Sequence, residues 1–107
     1  EDDKLLDNMR RVAETVLKYE PNHVESLSNV AITYILTDKP DKALEYLFKA
    51  EKINPKDAIV LNNIATIYRN KGDKDNAIKY YQLTIKHGNE DEKAFAESQI
   101  TKLKAKK

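Results

Sequence analysis

The chain has 107 residues, 19 of them basic and 18 acidic, for a net charge of +1, which is enough for one domain and too few for two. Cysteine is absent, which removes disulfides, thiolate nucleophiles and cysteine-ligated zinc, and the two glycines are too few for a glycine-rich phosphate loop. No run of about 18 apolar residues occurs, so no membrane span is expected, while the abundance of Lys, Glu, Ala, Leu and Ile favours helix.

In chain order, residues 3–20 carry Met9, Ala13 and Val16 at helical spacing and stop before Pro21, which pushes Glu20 out of the α region. Leu27, Val30, Ala31 and Tyr34 then fall at i, i+3, i+4 and i+7, the signature of a helix with one buried face. Asp38-Lys39-Pro40 supplies a turn, with Pro40 suited to a first helical turn. Ala43, Leu47 and Ala50 mark the next helix, which Asn54-Pro55 ends. Leu61, Ile64, Ala65 and Tyr68 repeat the first pattern. At Gly72-Asp73 the glycine can take a left-handed exit and the aspartate can cap the following helix, whose apolar face is Ala77, Tyr81 and Thr84 and which Gly88 closes. Residues 91–105 start a last helix with Phe95, Ile100 and Leu103 apolar, but with Ser98, Gln99 and Lys102 where the earlier copies have apolar residues or tyrosine.

These elements repeat. Sliding the sequence by 34 residues lays Val24–Asp57 on Ala58–Asp91 with nine identities: Leu27/Leu61, Asn29/Asn63, Ala31/Ala65, Tyr34/Tyr68, Asp41/Asp75, Ala43/Ala77, Tyr46/Tyr80, Lys52/Lys86 and Asp57/Asp91. Ordinary residue usage would give about two. Each copy therefore reads as two amphipathic helices of about 14 residues. Ala31 and Ala43, like Ala65 and Ala77, stand where the paired helices must approach closely.

The pattern resembles the tetratricopeptide repeat, W-x2-L-G-x2-Y-x8-A-x3-F-x2-A-x4-P. The first copy matches through Leu27, Val30, Ala31, Tyr34, Ala43, Leu47, Ala50 and Pro55, and the second through Leu61, Ile64, Ala65, Tyr68, Ala77, Tyr81 and Thr84, departing at Asn89 where Pro is usual. The resemblance implies an all-α fold of antiparallel helix-turn-helix repeats stacked as a right-handed α-solenoid of about six helices. It implies one domain over 1–107: 3–20 the second helix of a truncated repeat, 24–57 and 58–91 two repeats, and 91–105 a capping helix with one face for water. With Glu1 in place of an initiator Met, the chain reads as a piece of something longer or a processed product, and its compartment is not legible.

The resemblance also implies a function: a protein-interaction scaffold that holds a peptide or protein segment in a concave groove lined by the first helix of each pair. Carried over residue by residue, that groove is Glu25, Ser28, Asn29 and Ile32 in one copy and Ile59, Asn62, Asn63, Thr66, Arg69 and Asn70 in the next. Asparagine offers a donor and an acceptor to a peptide backbone, and Arg69 can meet a carboxylate. Relatives that clamp the C-terminal carboxylate of heat-shock chaperones use Lys and Asn, then Asn, then Lys and Arg. Here Ser28 and Ile32 take the first two places, Asn63 and Lys93 fit, and Glu97 replaces the Arg, so that clamp is not expected.

Catalytic chemistry finds no support. His23 lies in a turn and His87 at a helix end, neither beside an evident nucleophile, and the acidic pairs Asp2-Asp3, Asp73/Asp75 and Glu90-Asp91-Glu92 lie at helix starts, where caps and first-turn acids belong. No catalytic residue, metal site or cofactor is expected. The six tyrosines follow the repeat and read as core. Residues 1–57 hold nine basic and 12 acidic side chains, and 58–107 hold ten and six, with four Lys in the stretch Lys102–Lys107. Such an end is a solvated helix terminus or a contact for an acidic partner. The competing readings are a structural or assembly spacer that self-associates into a homo-oligomer, and anion or nucleic-acid binding at the Lys-rich end, with nucleic acid the less expected partner.

Overall fold

A computed structural model describes residues 2–105, with side chains from residue 4 onward. It contains α1 (Asp2–Tyr19), α2 (Val24–Leu36), α3 (Pro40–Ile53), α4 (Ala58–Asn70), α5 (Lys74–His87) and α6 (Glu90–Ala105), and no strand among the described residues. The all-α helical-repeat class expected from the 34-residue phase is the fold observed. The chain divides into two compact units, one ending at Asn54 and the other beginning at Pro55.

In the first unit α2 packs against both α1 and α3. Leu27, Val30 and Ala31 of α2 and Ala43, Leu44, Leu47 and Ala50 of α3 are buried. Removing such side chains from water contributes roughly 1.5–3 kcal/mol for each large one, and the alanines allow the helix axes to come close. Tyr34 stacks on Tyr46 with ring centres 5.9 Å apart. Arg10 of α1 lies 4.3 Å from the Tyr34 ring centre, over its face, and donates through Nε to the buried Thr33 hydroxyl at 3.0 Å.

The second unit repeats the scheme with α4, α5 and α6. Ala65, Ala77, Tyr81, Ala96 and Leu103 form its buried cluster, and Tyr68, Ile78, Tyr80, Ile85 and Ile100 pack around it. Tyr68 stacks on Tyr80 at 6.0 Å, the same pair one period on, while Tyr81 meets Phe95 edge-on at 6.3 Å.

The two hairpins close by one device. After α2 the chain turns left-handed at Asp38 (φ 59°), with Lys39 N–H donating to the Tyr34 carbonyl (2.8 Å) and Asp38 N–H to that of Ile35 (3.2 Å). After α4 the turn is at Gly72 (φ 82°), with Asp73 N–H donating to Tyr68 (2.9 Å) and Gly72 N–H to Arg69 (3.1 Å). This is the paired-bond helix exit in which the left-handed residue satisfies the last orphan carbonyls. The expected left-handed exit at Gly72 is thus observed, and Asp38 adopts the same strained conformation without the freedom of a glycine.

Helix starts follow polar chemistry. Asp57 caps α4 by accepting from Ile59 and Val60 N–H, and Asp73 caps α5 by accepting from Asn76 N–H. Asn89 and Glu92 exchange two 2.8 Å bonds at the start of α6, each side chain accepting from the other residue's N–H, a reciprocal capping box. The departure from Pro at Asn89 is thus structurally accounted for. Gly88 closes α5 without a left-handed turn: its φ is −85°. A Cβ there would lie 2.7 Å from the Thr84 carbonyl oxygen and 2.8 Å from Glu92 Cβ, so glycine serves close approach.

Candidate functional site

The groove residues expected from the first helices divide between the two units. In the first, Glu25 is exposed, Asn29 and Ile32 are half-buried, and Ser28 is only 4% exposed. Burial withdraws Ser28 from any incoming ligand, contrary to its place in the expected set. Glu25 and Asn29 line a pocket of about 470 Å³ between α1 and α2, together with His23 and Ser26 and the α1 side chains Leu5, Met9 and Val12. Leu5 and Val12 are 62% and 67% exposed, an apolar wall that the expected groove did not include. Its signal was available: Met9, Ala13 and Val16 hold the register of a second-type helix, whose apolar side in the two full copies is covered.

His23 proves to have a serine neighbour. Its Nδ1 accepts from Ser26 N–H at 3.2 Å and lies 2.8 Å from Ser26 Oγ. The pair is the N-cap of α2, an uncommon use of histidine in a task usually given to Ser, Asp or Asn. No acid or oxyanion cradle joins it in the described contacts. The expected acidic clusters likewise serve helix starts, with Glu90, Asp91 and Glu92 in the first turn of α6; the side chains of Asp2 and Asp3 lie outside the described residues, as do Lys106 and Lys107 of the basic end.

In the second unit Ile59 and Asn70 are exposed, and Asn62, Asn63, Thr66 and Arg69 are half-buried. Thr66 is already engaged: its hydroxyl donates to the Asn62 carbonyl at 2.9 Å and lies 3.3 Å from the Tyr81 hydroxyl. Asn62 Oδ1 and Asn63 Nδ2, by contrast, are shielded from solvent and have no hydrogen-bond partner among the described residues. A shielded amide atom left unpaired costs about 1–3 kcal/mol, so both side chains gain from turning toward a polar group.

Arg69 forms a separate arrangement with α6. Its Nη1 donates to Gln99 Oε1 at 2.5 Å, and Nε and Nη2 each reach Asn70 Oδ1 at 3.4 Å. Arg69, Gln99, Lys102, Leu103 and Ala105 line a pocket of about 460 Å³. The water-facing role expected of Gln99 is incorrect: it is 8% exposed. It stands 34 residues after Ala65, in the slot where the helices meet, and that slot is buried whatever residue fills it. Ser98 and Lys102 are exposed as expected.

Tyr46 is a titratable side chain with a displaced equilibrium. Burial pushes its pKa above the ordinary 10.0, and Tyr34, Glu14 and Glu45 push the same way while Arg10 opposes them. It belongs to the hairpin stack and to no reactive cluster.

Paired helices closed by recurrent turns, with polar first-helix faces, define a helical-repeat module. The sequence model of the tetratricopeptide repeat matches residues 24–57 and 58–86, more than half of the chain, and the chain belongs to that family. It is 42% identical over 62 residues to the photosystem I assembly protein Ycf3 of Prochlorococcus marinus (strain MIT 9211), and 40% identical over 62 residues to the same protein from a second strain of that organism. Each match takes in 55% of this chain and 36% of the relative, so the chain spans well under half the length of these relatives. Among solved structures it resembles MamA, with a TM-score of 0.79 and 26% identity over 92% of this chain and 56% of the other. Repeats of this family characterise the chain as a protein-interaction scaffold. Among the described residues no helix is long and apolar enough to cross a membrane.

Proposed function

We propose that the chain binds a peptide or protein segment on the polar faces of its first-type helices, without chemistry on the bound partner. The observation that carries this reading is the pair Asn62 and Asn63, half-buried neighbours on one first-type helix whose side chains make no hydrogen bond among the described residues. A rotation about each side chain presents a donor and an acceptor to a peptide backbone, which is what an extended or helical segment needs to satisfy its own main chain. Asn29, the counterpart of Asn63 one period earlier, borders the α1–α2 pocket and supplies the same chemistry there. The test is quantitative capture of partners by the intact chain and by Asn62→Ala/Asn63→Ala. The reading requires the double variant to keep wild-type helicity and to lose at least tenfold in partner affinity; retention of affinity refutes it.

A second reading, an assembly spacer, is favoured by the apolar wall of α1. Leu5 and Val12, exposed two turns apart on one face of a helix, suit packing against another helix. It predicts concentration-dependent association of the chain in sedimentation, abolished by Leu5→Ser/Val12→Ser and indifferent to the asparagine changes.

A further inference from the structure

The outer side of α1 carries an inference that goes beyond the scaffold reading. Leu5, Val12 and Tyr19 recur at i, i+7 and i+14, so each lies two turns beyond the last in one apolar row. Lys4, Arg11 and Lys18 keep the same spacing one residue earlier, which sets a basic row about 100° round the helix. All six side chains are exposed. The side of α1 that packs on α2 is elsewhere: Ala13 is buried, and Leu6, Arg10, Val16 and Leu17 are half-buried. The acids Asp7 and Glu14 fall beyond the basic row, turned away from the apolar one, and Asp7 lies 3.7 Å from Arg10. Among the described residues none of the three cations of the row pairs with a carboxylate; Arg11 donates to Asn8 Oδ1 at 2.9 Å.

The two rows select among partners. Cations strung along about 21 Å of helix suit an extended anionic surface better than any single bound group. A partner helix needs a seam two apolar rows wide, but Asn8 and Thr15, both exposed, stand between the apolar and basic rows. A nucleic-acid strand engages cations and aromatic faces and would leave Leu5 and Val12 without apolar cover. A lipid headgroup layer takes every part. Its acyl boundary receives the apolar row, its glycerol and carbonyl groups meet the amide and hydroxyl, and its phosphates meet cations whose stems lie along the apolar side. Tyr19, an apolar ring with a polar tip, is a residue of that boundary. The helix then lies on the bilayer without crossing it, and Asp7 and Glu14 stay in water. On the other flank Glu25 borders the α1–α2 cleft, so phosphates meet the protein along one flank only. We propose that α1 rests its outer side on an anionic lipid surface, with Leu5, Val12 and Tyr19 at the acyl boundary and Lys4, Arg11 and Lys18 on lipid phosphates.

The experiment uses the full chain with vesicles of phosphatidylcholine, alone or with about one-third phosphatidylserine, read by co-sedimentation. A spin-labelled lipid reports which methyl signals approach the bilayer. Binding to the anionic vesicles is expected to be about tenfold tighter than to the neutral ones and to fall with added salt. The Leu5 and Val12 methyls should broaden while those of the buried Leu61 and Ile64 do not. Lys4→Gln/Arg11→Gln/Lys18→Gln should bring binding down to the neutral level, and Leu5→Ser/Val12→Ser should weaken it about tenfold. Lys102→Gln/Lys104→Gln, which removes two exposed charges from α6, should change it less than twofold. The three cations of α1 are exposed, so their variant reports even if the serine variant loosens the helix. No binding to anionic vesicles, equal loss with the α6 variant, or displacement by oligothymidylate at equal phosphate would each overturn the proposal. So would a helical protein segment or a second copy that covers Leu5 and Val12 while vesicles are ignored. A chain that binds vesicles yet captures no partner through Asn62 and Asn63 sinks the scaffold reading and leaves this one standing.

Discussion

Replacing Gly72 with Ala isolates the conformational cost of the hairpin exit. Gly72 holds φ at 82°, and a Cβ added there would meet nothing within 4 Å, so no clash contributes. What remains is the penalty of a left-handed L-residue, about 1–2 kcal/mol. An unfolding entropy of about 2.1 cal/mol/K per residue gives roughly 0.2 kcal/mol/K for a chain of this size. The midpoint of thermal unfolding should then fall by about 5–9 °C, read by circular dichroism at 222 nm. The converse change, Asp38→Gly, places glycine at the equivalent exit, where φ is 59°, and should raise stability by about 0.5 kcal/mol, since aspartate tolerates this region better than most residues. A Gly72→Ala chain that melts with the wild type, or an Asp38→Gly chain that melts earlier, would refute the assignment of these turns as equivalent.

Other expectations follow from the packing and the caps. Ala65→Leu overfills the buried cluster around Tyr81 and should cost roughly 1–3 kcal/mol in urea unfolding, with partner binding impaired only in proportion to unfolding. Asn89→Ala removes half of the capping box of α6 and should cost about 1 kcal/mol, visible first as faster amide exchange in residues 90–93. Tyr46 keeps its proton more tightly folded than unfolded, so its contribution is fully present below pH 10.0 and is lost as pH rises through the higher folded value. Absorbance at 295 nm should show it ionising later in the folded than in the unfolded chain, and Tyr46→Phe should flatten the alkaline loss of stability; a Tyr46 that ionises alike in both states contradicts the burial argument.

Much of the architecture was legible because the 34-residue period repeats both the apolar faces and the breaks between them. Leu27 and Leu61, and Ala31 and Ala65, mark the same buried slots in each copy, and period alone assigns them to the core; the stacked tyrosines are only half-buried, and Tyr19, also read as core, is 78% exposed. What escaped was set by partners distant in sequence or by side chains used unconventionally. Gln99 reads as a solvent residue by its polarity, and its partner Arg69 stands 30 residues away. Asp38 looked like an ordinary turn residue because aspartate serves many turns, and only backbone angles reveal the left-handed one. His23 as a cap follows from its 2.8 Å approach to Ser26, which no spacing rule for Ser, Asp or Asn caps would propose. For the groove, polarity located candidates but could not say that Ser28 is buried or that Thr66 is already bonded.

The stacking of Tyr34 on Tyr46 and of Tyr68 on Tyr80 has a bearing on how the protein is made. Each contact joins residues of one hairpin, across one turn, although Arg10 of α1 also covers the Tyr34 ring. A nascent polypeptide can therefore zip up one pair of helices as soon as it clears the ribosome exit, without waiting for distant segments. Such autonomy also suits gene duplication, since a cassette that carries its own fastening can be copied in tandem without redesigning its neighbours.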